Sequence, residues 1–235
     1  MRISLMPAHG LRLRLLQEAA VWLLAWLPVS TLLAQATTRP CGPDPAVPGP
    51  ACLLAHASIT VLPAGELYWH IDTYASEQAA NAAKSPAGTV VRAFNRVWLF
   101  TLAGKTWRAD HGKHLATVGP LPVTPAPAYS AEFLRSVFTP GMTAPLHVHS
   151  GPEAFYALQG DTCLESPDGV QKAAGPGNWL VIRGGLPMLL MATGTLPREG
   201  FALVLHDATQ PATTMIHNWQ PKGQCAAGGN AAPIP

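Results

Sequence analysis

Two histidines and a glutamate lie close together near the middle of the chain, in the segment GMTAPLHVHSGPEAFYALQG at residues 141–160. His147 and His149 are two residues apart, so in a β-strand both side chains leave the same face. A Ser-Gly-Pro sequence at residues 150–152 predicts a turn, and Glu153 then opens the next strand. The carboxylate of Glu153 is therefore expected to return beside the two imidazoles.

Two imidazoles and one carboxylate form a ligand set for a divalent transition metal. With the other coordination positions open, this set suits non-haem Fe(II), and imidazole also accepts Zn, Cu and Ni. The candidate metals are Fe, Mn, Ni, Zn and Cu, and the ligand types do not choose among them. Glu153 is also the candidate general base, a role that it can fill only when it leaves the metal.

The same segment resembles the first motif of the cupin superfamily, G(X)5HXH(X)3–4E(X)6G. It agrees at every defined position, namely Gly141, His147, His149, Glu153 and Gly160. The resemblance is to single-domain cupins and covers residues 129–207. It implies a jelly-roll barrel with the site inside the barrel, but no particular reaction, because such folds host enzymes, binders and storage proteins.

The second cupin motif, G(X)5PXG(X)2H(X)3N, is matched only in part, at residues 177–188. Met188 stands where the family has its fourth ligand, a histidine. It is a candidate ligand, because a thioether suits copper, or else it fills the pocket wall as an adaptable apolar side chain. Arg183 stands where proline is usual. It is either a clamp for a substrate carboxylate or phosphate at the barrel mouth or part of the solvated surface.

Two further residues are candidates for the site. His206, in the strand-like run FALVLHD, supplies a further imidazole if its side chain turns inward, and otherwise it is a polar residue at a strand end. Phe155, two residues after Glu153, is a candidate for the apolar lining of a substrate pocket. The substrate is expected to be a small molecule, and the sequence contains no phosphate loop, nucleophile elbow or dinucleotide fingerprint.

The elements that must position these residues are mostly strands. Short runs rich in β-branched and aromatic residues occur at 58–62, 66–71, 89–94 and 97–102, and they resume from 129 to 207. The run ASEQAANAAK at 75–84 predicts one short helix. The predicted fold is all-β, a cupin jelly-roll barrel with additional N-terminal strands and one short helix. Residues 55–125 hold no second metal-like cluster, which favours extra strands over a second barrel.

The first 36 residues have the layout of a secretory signal peptide. Arg2, Arg12 and Arg14 precede an apolar stretch, and the segment ends in the small residues of an A-x-A site at 34–36. The alternative is a membrane anchor, but the apolar stretch is shorter than the roughly 20 residues that span a bilayer. We therefore expect a secreted or periplasmic protein with no stable membrane span after cleavage.

The remaining chain divides into three predicted parts. Residues 37–54 are dense in Pro and Gly and predict an N-terminal arm, residues 55–217 hold the barrel with its N-terminal extension, and 218–235 form a C-terminal tail. Removal of residues 1–36 takes away three of the 15 Lys and Arg residues and one of the 13 Asp and Glu residues, which leaves 12 of each. A neutral chain lacks the basic surface that nucleic acid binding requires.

All four cysteines follow the predicted cleavage site. Cys41 and Cys52 are close enough in sequence to favour a local bridge, which leaves Cys163 to join Cys225. A zinc site is the alternative, but no pair shows C-x-x-C spacing.

Two functions fit these features. One is a metal-dependent enzyme of oxygenase, isomerase or lyase type. The other is a non-enzymatic barrel that binds a small molecule or a partner, with a structural metal or none. The resemblance also implies a homodimer that pairs through edge strands.

Overall fold

Fourteen strands and one short helix make up the part of the chain that the computed structural model describes, residues 38–43 and 46–226. In chain order the strands are β1 Gly49–Ile59, β2 Tyr68–Tyr74, β3 Gly88–Ala93, β4 Arg96–Ala103, β5 Lys113–Val118, β6 Tyr129–Phe138, β7 His147–Val148, β8 Glu153–Gln159, β9 Asp161–Ser166, β10 Gly169–Ala174, β11 Trp179–Ile182, β12 Leu189–Thr193, β13 Arg198–Asp207 and β14 Thr214–Met215. The helix α1, Glu77–Ala83, lies within the run that predicted it, and Ser76 caps it by accepting a hydrogen bond from the amide of Ala79. The fold is all-β, as the sequence predicted.

The central sheet has five antiparallel strands in the order β1-β6-β13-β8-β11. Side chains alternate across it, so β13 places Phe201 and Leu203 in one apolar core and Ala202 and Val204 in another. Both faces of the sheet are therefore buried. This explains why β13 reads as a nearly continuous apolar run rather than as a strand with one polar face.

Two groups of strands cover the faces of the central sheet. The four-stranded sheet β3-β4-β2-β5 packs on one face, where Phe100 stacks on Phe133 with ring centroids 5.2 Å apart. The sheet β10-β9-β12 covers the other face, and the pair β14-β7 lies at the site described below. The additional N-terminal strands thus form a sheet of their own on the central sheet, and do not build a second barrel around a second site.

The segment expected to be an irregular arm becomes a strand earlier than predicted. β1 begins at Gly49, and it ends at Ile59, so the predicted strand at 58–62 is largely misplaced. The reason is the position of β1 at the edge of the central sheet, where a proline such as Pro50 removes no essential ladder hydrogen bond. The pairing with β6 shifts register between Gly49 and Cys52, which accommodates this stretch.

Two disulfides pair Cys41 with Cys52 and Cys163 with Cys225, the connectivity that the sequence favoured. The second bridge holds the C-terminal segment on β9. There the carboxylate of Glu165 accepts hydrogen bonds from the backbone amides of Lys222 and Gln224.

The described residues belong to one unit, Ala34–Pro235. The predicted signal peptide and the last nine residues of the predicted tail lie outside the described residues. Within the described part of the chain, no helix has the length and apolar character needed to cross a membrane.

Candidate metal site

The two histidines lie side by side on the short strand β7 and just beyond it. Both side chains are buried, and their ring centroids are 4.7 Å apart. The turn at 150–152 then brings β8 back next to β13, where Glu153 pairs with Val204. A Cβ atom on Gly151 would lie 1.9 Å from the carbonyl oxygen of Leu205, so only glycine permits this approach.

Backbone carbonyls fix which ring nitrogen of each histidine faces the site. Nδ1 of His147 lies 2.6 Å from the carbonyl oxygen of Pro145, and Nδ1 of His149 lies 2.5 Å from that of Ala212. A carbonyl oxygen only accepts hydrogen bonds, so each Nδ1 carries the proton and donates it. In the neutral rings, both Nε2 atoms therefore present a lone pair, which is the arrangement of metal-ligating histidines.

Both Nε2 atoms point at the same carboxylate oxygen. Oε2 of Glu153 lies 3.1 Å from Nε2 of His149 and 3.9 Å from Nε2 of His147. A carboxylate oxygen and an unprotonated ring nitrogen are both acceptors, so this approach requires a proton or a cation between them. The donor set therefore fits a divalent transition metal.

The electrostatics of the three residues are strongly coupled. Burial raises the pKa of Glu153, but the charge of His149 and hydrogen bonds from both histidines outweigh it and lower that pKa to about 2. Burial likewise lowers the pKa of His147, and the hydrogen bond and charge of Glu153 reverse this and raise it above its ordinary value. Glu153 is thus a carboxylate across the physiological range, as a ligand must be.

These three residues are the one group of this kind within the described part of the chain. Their ligand atoms all lie within 4.8 Å of one another. They border a cavity of about 550 Å³, a size typical of small-molecule sites. Its other walls are largely apolar and include Leu134, Phe138, Met142, Phe155, Leu190 and Ala202. Phe155, chosen from sequence as a lining residue, lies in this wall.

Met188 lies beside the first histidine but does not line the cavity. It forms an isolated antiparallel bridge with His147, and its side chain is 1% exposed. Its apolar neighbours belong to the core between the central sheet and β10-β9-β12. The structure does not bring it into the cavity wall with the three ligands.

His206 and Arg183 also stand apart from the three ligands. Nδ1 of His206 lies 2.9 Å from the carbonyl oxygen of Asp207, and its buried Nε2 has no hydrogen-bond partner. Arg183 is exposed and forms an ion pair with Asp168 at 3.2 Å, so it is not a cavity residue. Of the two alternatives that the sequence left for Arg183, a substrate clamp or a residue of the solvated surface, its position matches the second, because β11 ends at Ile182 and the following residue is exposed.

Arg198 is an inward-facing charged residue that sequence reasoning missed. It is fully buried, and its guanidinium donates hydrogen bonds to Ser136 and Thr162. The sequence does contain a signal for it. Arg198 is an even number of residues from Ala202 and Val204 on β13, so its side chain lies on the same buried face of the strand as theirs. Ser136, which touches it, lines the cavity.

Fold and site together define an all-β protein that carries a buried ligand group of two histidines and one glutamate at a largely apolar cavity. No protein-family model matches the sequence, and no curated protein matches it.

Several solved structures of cupin proteins are similar to parts of the chain. An RmlC-like cupin from Methanocaldococcus jannaschii is 18% identical over 31% of this chain and 67% of its own, with a TM-score of 0.29. A cupin-like protein from Thermotoga maritima is 13% identical over 37% of this chain and 64% of its own, with a TM-score of 0.33. DMSP lyase from Ruegeria pomeroyi is 19% identical over 37% of this chain and 42% of its own, with a TM-score of 0.29. These overlaps are short, and no reaction follows from them.

Proposed function

We propose that this chain is a cupin-type protein that binds a divalent transition metal through His147, His149 and Glu153 and acts on a small molecule as a metal-dependent enzyme. The observation that supports it is the convergence of Nε2 of His149 and Nε2 of His147 on one carboxylate oxygen of Glu153, at 3.1 and 3.9 Å. The five matching positions of the first cupin motif support the family assignment.

The chain's own residues would each have a defined part in such an enzyme. The carbonyls of Pro145 and Ala212 hold the two imidazoles in the tautomer that presents Nε2. Glu153 supplies a negative charge inside an apolar cavity, where electrostatic interactions are stronger than in water. A bound metal would supply Lewis-acid chemistry toward a substrate oxygen, which suits oxygenase, isomerase and lyase reactions.

Metal content tests this proposal directly. The mature protein, purified without a His-tag, is compared with the H147A and E153Q variants by elemental analysis, with H217A as a control because His217 is exposed and outside the site. Near-stoichiometric metal in the wild type and in H217A, lost in H147A and E153Q, is the expected result. No uptake by the wild type after exposure to Fe, Mn, Ni, Cu and Zn would end the proposal.

A non-enzymatic small-molecule binder is the second candidate function. The observation that favours it is Met188, which occupies the fourth-ligand position of the second cupin motif and packs into the core. The metal-loaded wild type and E153Q, which is expected to lack the metal, are each incubated with a pool of small molecules and followed by mass spectrometry. Compounds consumed only by the wild type indicate an enzyme, whereas compounds retained unchanged indicate a binder.

We also propose that the protein is exported and acts outside the cytoplasm. The signal-like layout of residues 1–36 and the two disulfides support this. Amino-terminal sequencing of the exported protein is expected to begin at Thr37. A start at Met1, with the protein retained in the membrane, would contradict cleavage. The proposed homodimer is tested separately by sedimentation of the mature chain, where the mass of one chain at all concentrations would exclude it.

A further inference from the structure

The cavity beside the three ligands is bordered by more positive than negative charge. Glu153 is the one carboxylate among its lining residues, and it is already shared by two histidines. Arg39 lines the cavity, and Arg198 lies directly behind the wall, in contact with Ser136. Both arginines remain cationic at any physiological pH.

Arg39 is held at the cavity by the N-terminal arm. The carbonyl oxygen of Arg39 accepts a hydrogen bond from the amide of Leu53 at 2.8 Å, and the amide of Cys41 donates to the carbonyl of Leu53 at 2.9 Å. The disulfide between Cys41 and Cys52 fixes the same stretch to β1. Arg39 is exposed, and it is one of the residues that line the cavity.

Ser136 lies between the buried guanidinium of Arg198 and the cavity. A guanidinium can only donate, so the Ser136 hydroxyl oxygen accepts from Arg198 and its own hydrogen is left to be donated elsewhere. The described part of the chain offers this hydroxyl no acceptor. Because Ser136 lines the cavity, its O–H is a donor that the wall presents to a ligand, and it is the one in contact with Arg198.

Arg198 itself is incompletely satisfied. Nε donates to Thr162 at 3.1 Å and the guanidinium lies 5.9 Å from the ring centroid of Phe155, but Nη2 is buried without a hydrogen-bond partner. Burial lowers its pKa to about 10, although the charge of Glu153 opposes this. A buried cation with a free donor is costly unless an anion accompanies it.

We propose that the cavity binds a small monocarboxylate with an apolar body. Its carboxylate accepts a hydrogen bond from the Ser136 hydroxyl, which in turn accepts one from Arg198. The positive charge of Arg39 attracts the anion to the cavity entrance. The apolar body would pack against Leu134, Phe138, Phe155 and Leu190. The inference rests on the proposed function, because it names the substrate class of the same cavity, but the carboxylate contacts that it invokes do not include the metal.

The test compares carboxylates with their uncharged primary amides, which have nearly the same shape. Butyrate, hexanoate and benzoate, and the three amides, are titrated by calorimetry into the metal-free mature protein. At least one carboxylate is expected to bind about tenfold or more tightly than its amide, which is the discrimination that one charge-assisted hydrogen bond provides. Equal affinities within every pair, or no binding by any of the six at millimolar concentration, would overturn the proposal.

Three variants assign the effect to residues. S136A changes packing volume little but leaves one donor of Arg198 without its acceptor, so circular dichroism checks that it is folded. It is expected to reduce carboxylate binding about tenfold and amide binding much less, because the hydrogen bond to the charged carboxylate is the stronger one. R39Q is expected to slow carboxylate association at low salt and to have little effect at high salt, because steering by exposed charge is screened. R198M is expected to abolish the preference, and circular dichroism checks that it is folded. An undiminished carboxylate preference in folded S136A would overturn the proposal.

Metal content measured on the same preparations separates the two proposals. A carboxylate preference in a protein that takes up no metal leaves this inference standing and removes the metal-dependent enzyme. Metal uptake without a carboxylate preference supports the metal-binding proposal and overturns this inference.

Discussion

Met188 is bridged to His147 across two antiparallel segments, with its amide donating to the His147 carbonyl oxygen at 3.1 Å. Directly opposed residues in antiparallel pairs carry their side chains on the same side, with Cβ atoms about 4.5–5.5 Å apart. The thioether is therefore a neighbour of the first ligand, although it packs in the core and does not line the cavity. The candidate site thus offers three ligand residues, two His and one Glu, with an apolar side chain next to the first of them.

This relationship predicts that M188H strengthens metal binding. The new imidazole would lie beside His147, and a fourth ligand is expected to raise Zn or Ni affinity by tenfold or more, measured by competition with a chromophoric chelator. The control M188L conserves volume, so it should cost less than about 1.5 kcal/mol of stability and leave Zn and Ni affinity unchanged. A loss of metal in M188L as large as in H147A would show that the thioether is itself a ligand.

The motif on residues 141–160 was sufficient to predict which side chains meet. Spacing of two within a strand, followed by a turn, puts His147, His149 and Glu153 together without any long-range information. The partner that orients His149, the carbonyl of Ala212, is 63 residues away and was not predictable. Arg198 was missed for a related reason, since its partners Ser136 and Thr162 come from two other strands.

In the N-terminal half, some strands were predictable from local sequence and one was not. Strands β3 and β4 were predicted within one residue, because runs of β-branched and aromatic residues bounded by turn residues mark them locally. β1 was not, because its Pro and Gly residues predict irregular structure, and only its place at the edge of the central sheet makes them acceptable. Edge position is a property of the whole sheet, so no local pattern reveals it.

The close backbone approach at Gly151 predicts that one added methyl group strongly destabilises the protein. In G151A the new Cβ would meet the backbone carbonyl of Leu205, which cannot move without disturbing β13. We expect a loss of about 3 kcal/mol in the free energy of unfolding, as for other strongly overpacked sites, together with weaker metal binding because Glu153 shifts with the turn. Urea unfolding checks the first effect, with G49A as the control, since nothing lies within 4 Å of a Cβ at Gly49. Equal stability of the two variants would contradict the close approach.

The disulfide between Cys163 and Cys225 is expected to be the more stabilising of the two. It spans 62 residues of sequence, against 11 for Cys41 and Cys52. Chain-entropy arguments give about 4 kcal/mol for the longer loop and about 3 kcal/mol for the shorter one. Urea unfolding of the two double serine variants should show this order. The C41S/C52S pair should also weaken the effect of Arg39 on carboxylate association, because the arm loses its anchor.

A buried histidine outside the metal site predicts how stability depends on pH. His70 is fully buried on β2, where Nε2 lies 3.0 Å from the carbonyl of Gly104 and Nδ1 lies 3.3 Å from the Thr117 hydroxyl. Burial lowers its pKa below 6.5, and the hydrogen bond to Gly104 only partly opposes this. The unfolded chain therefore binds more protons than the folded one between the lowered pKa and 6.5.

Stability should accordingly be fully present above pH 6.5 and fall as the pH drops from there toward the pKa of folded His70. The pKa of Asp72, raised by burial, acts in the opposite sense, since its contribution is lost as the pH rises through that value. The difference in unfolding free energy between wild type and H70Q, taken from urea titrations at successive pH values, cancels the Asp72 contribution to first order. A difference that shrinks below pH 6.5 would confirm a buried neutral His70, and one that is constant with pH would show that His70 does not titrate on unfolding.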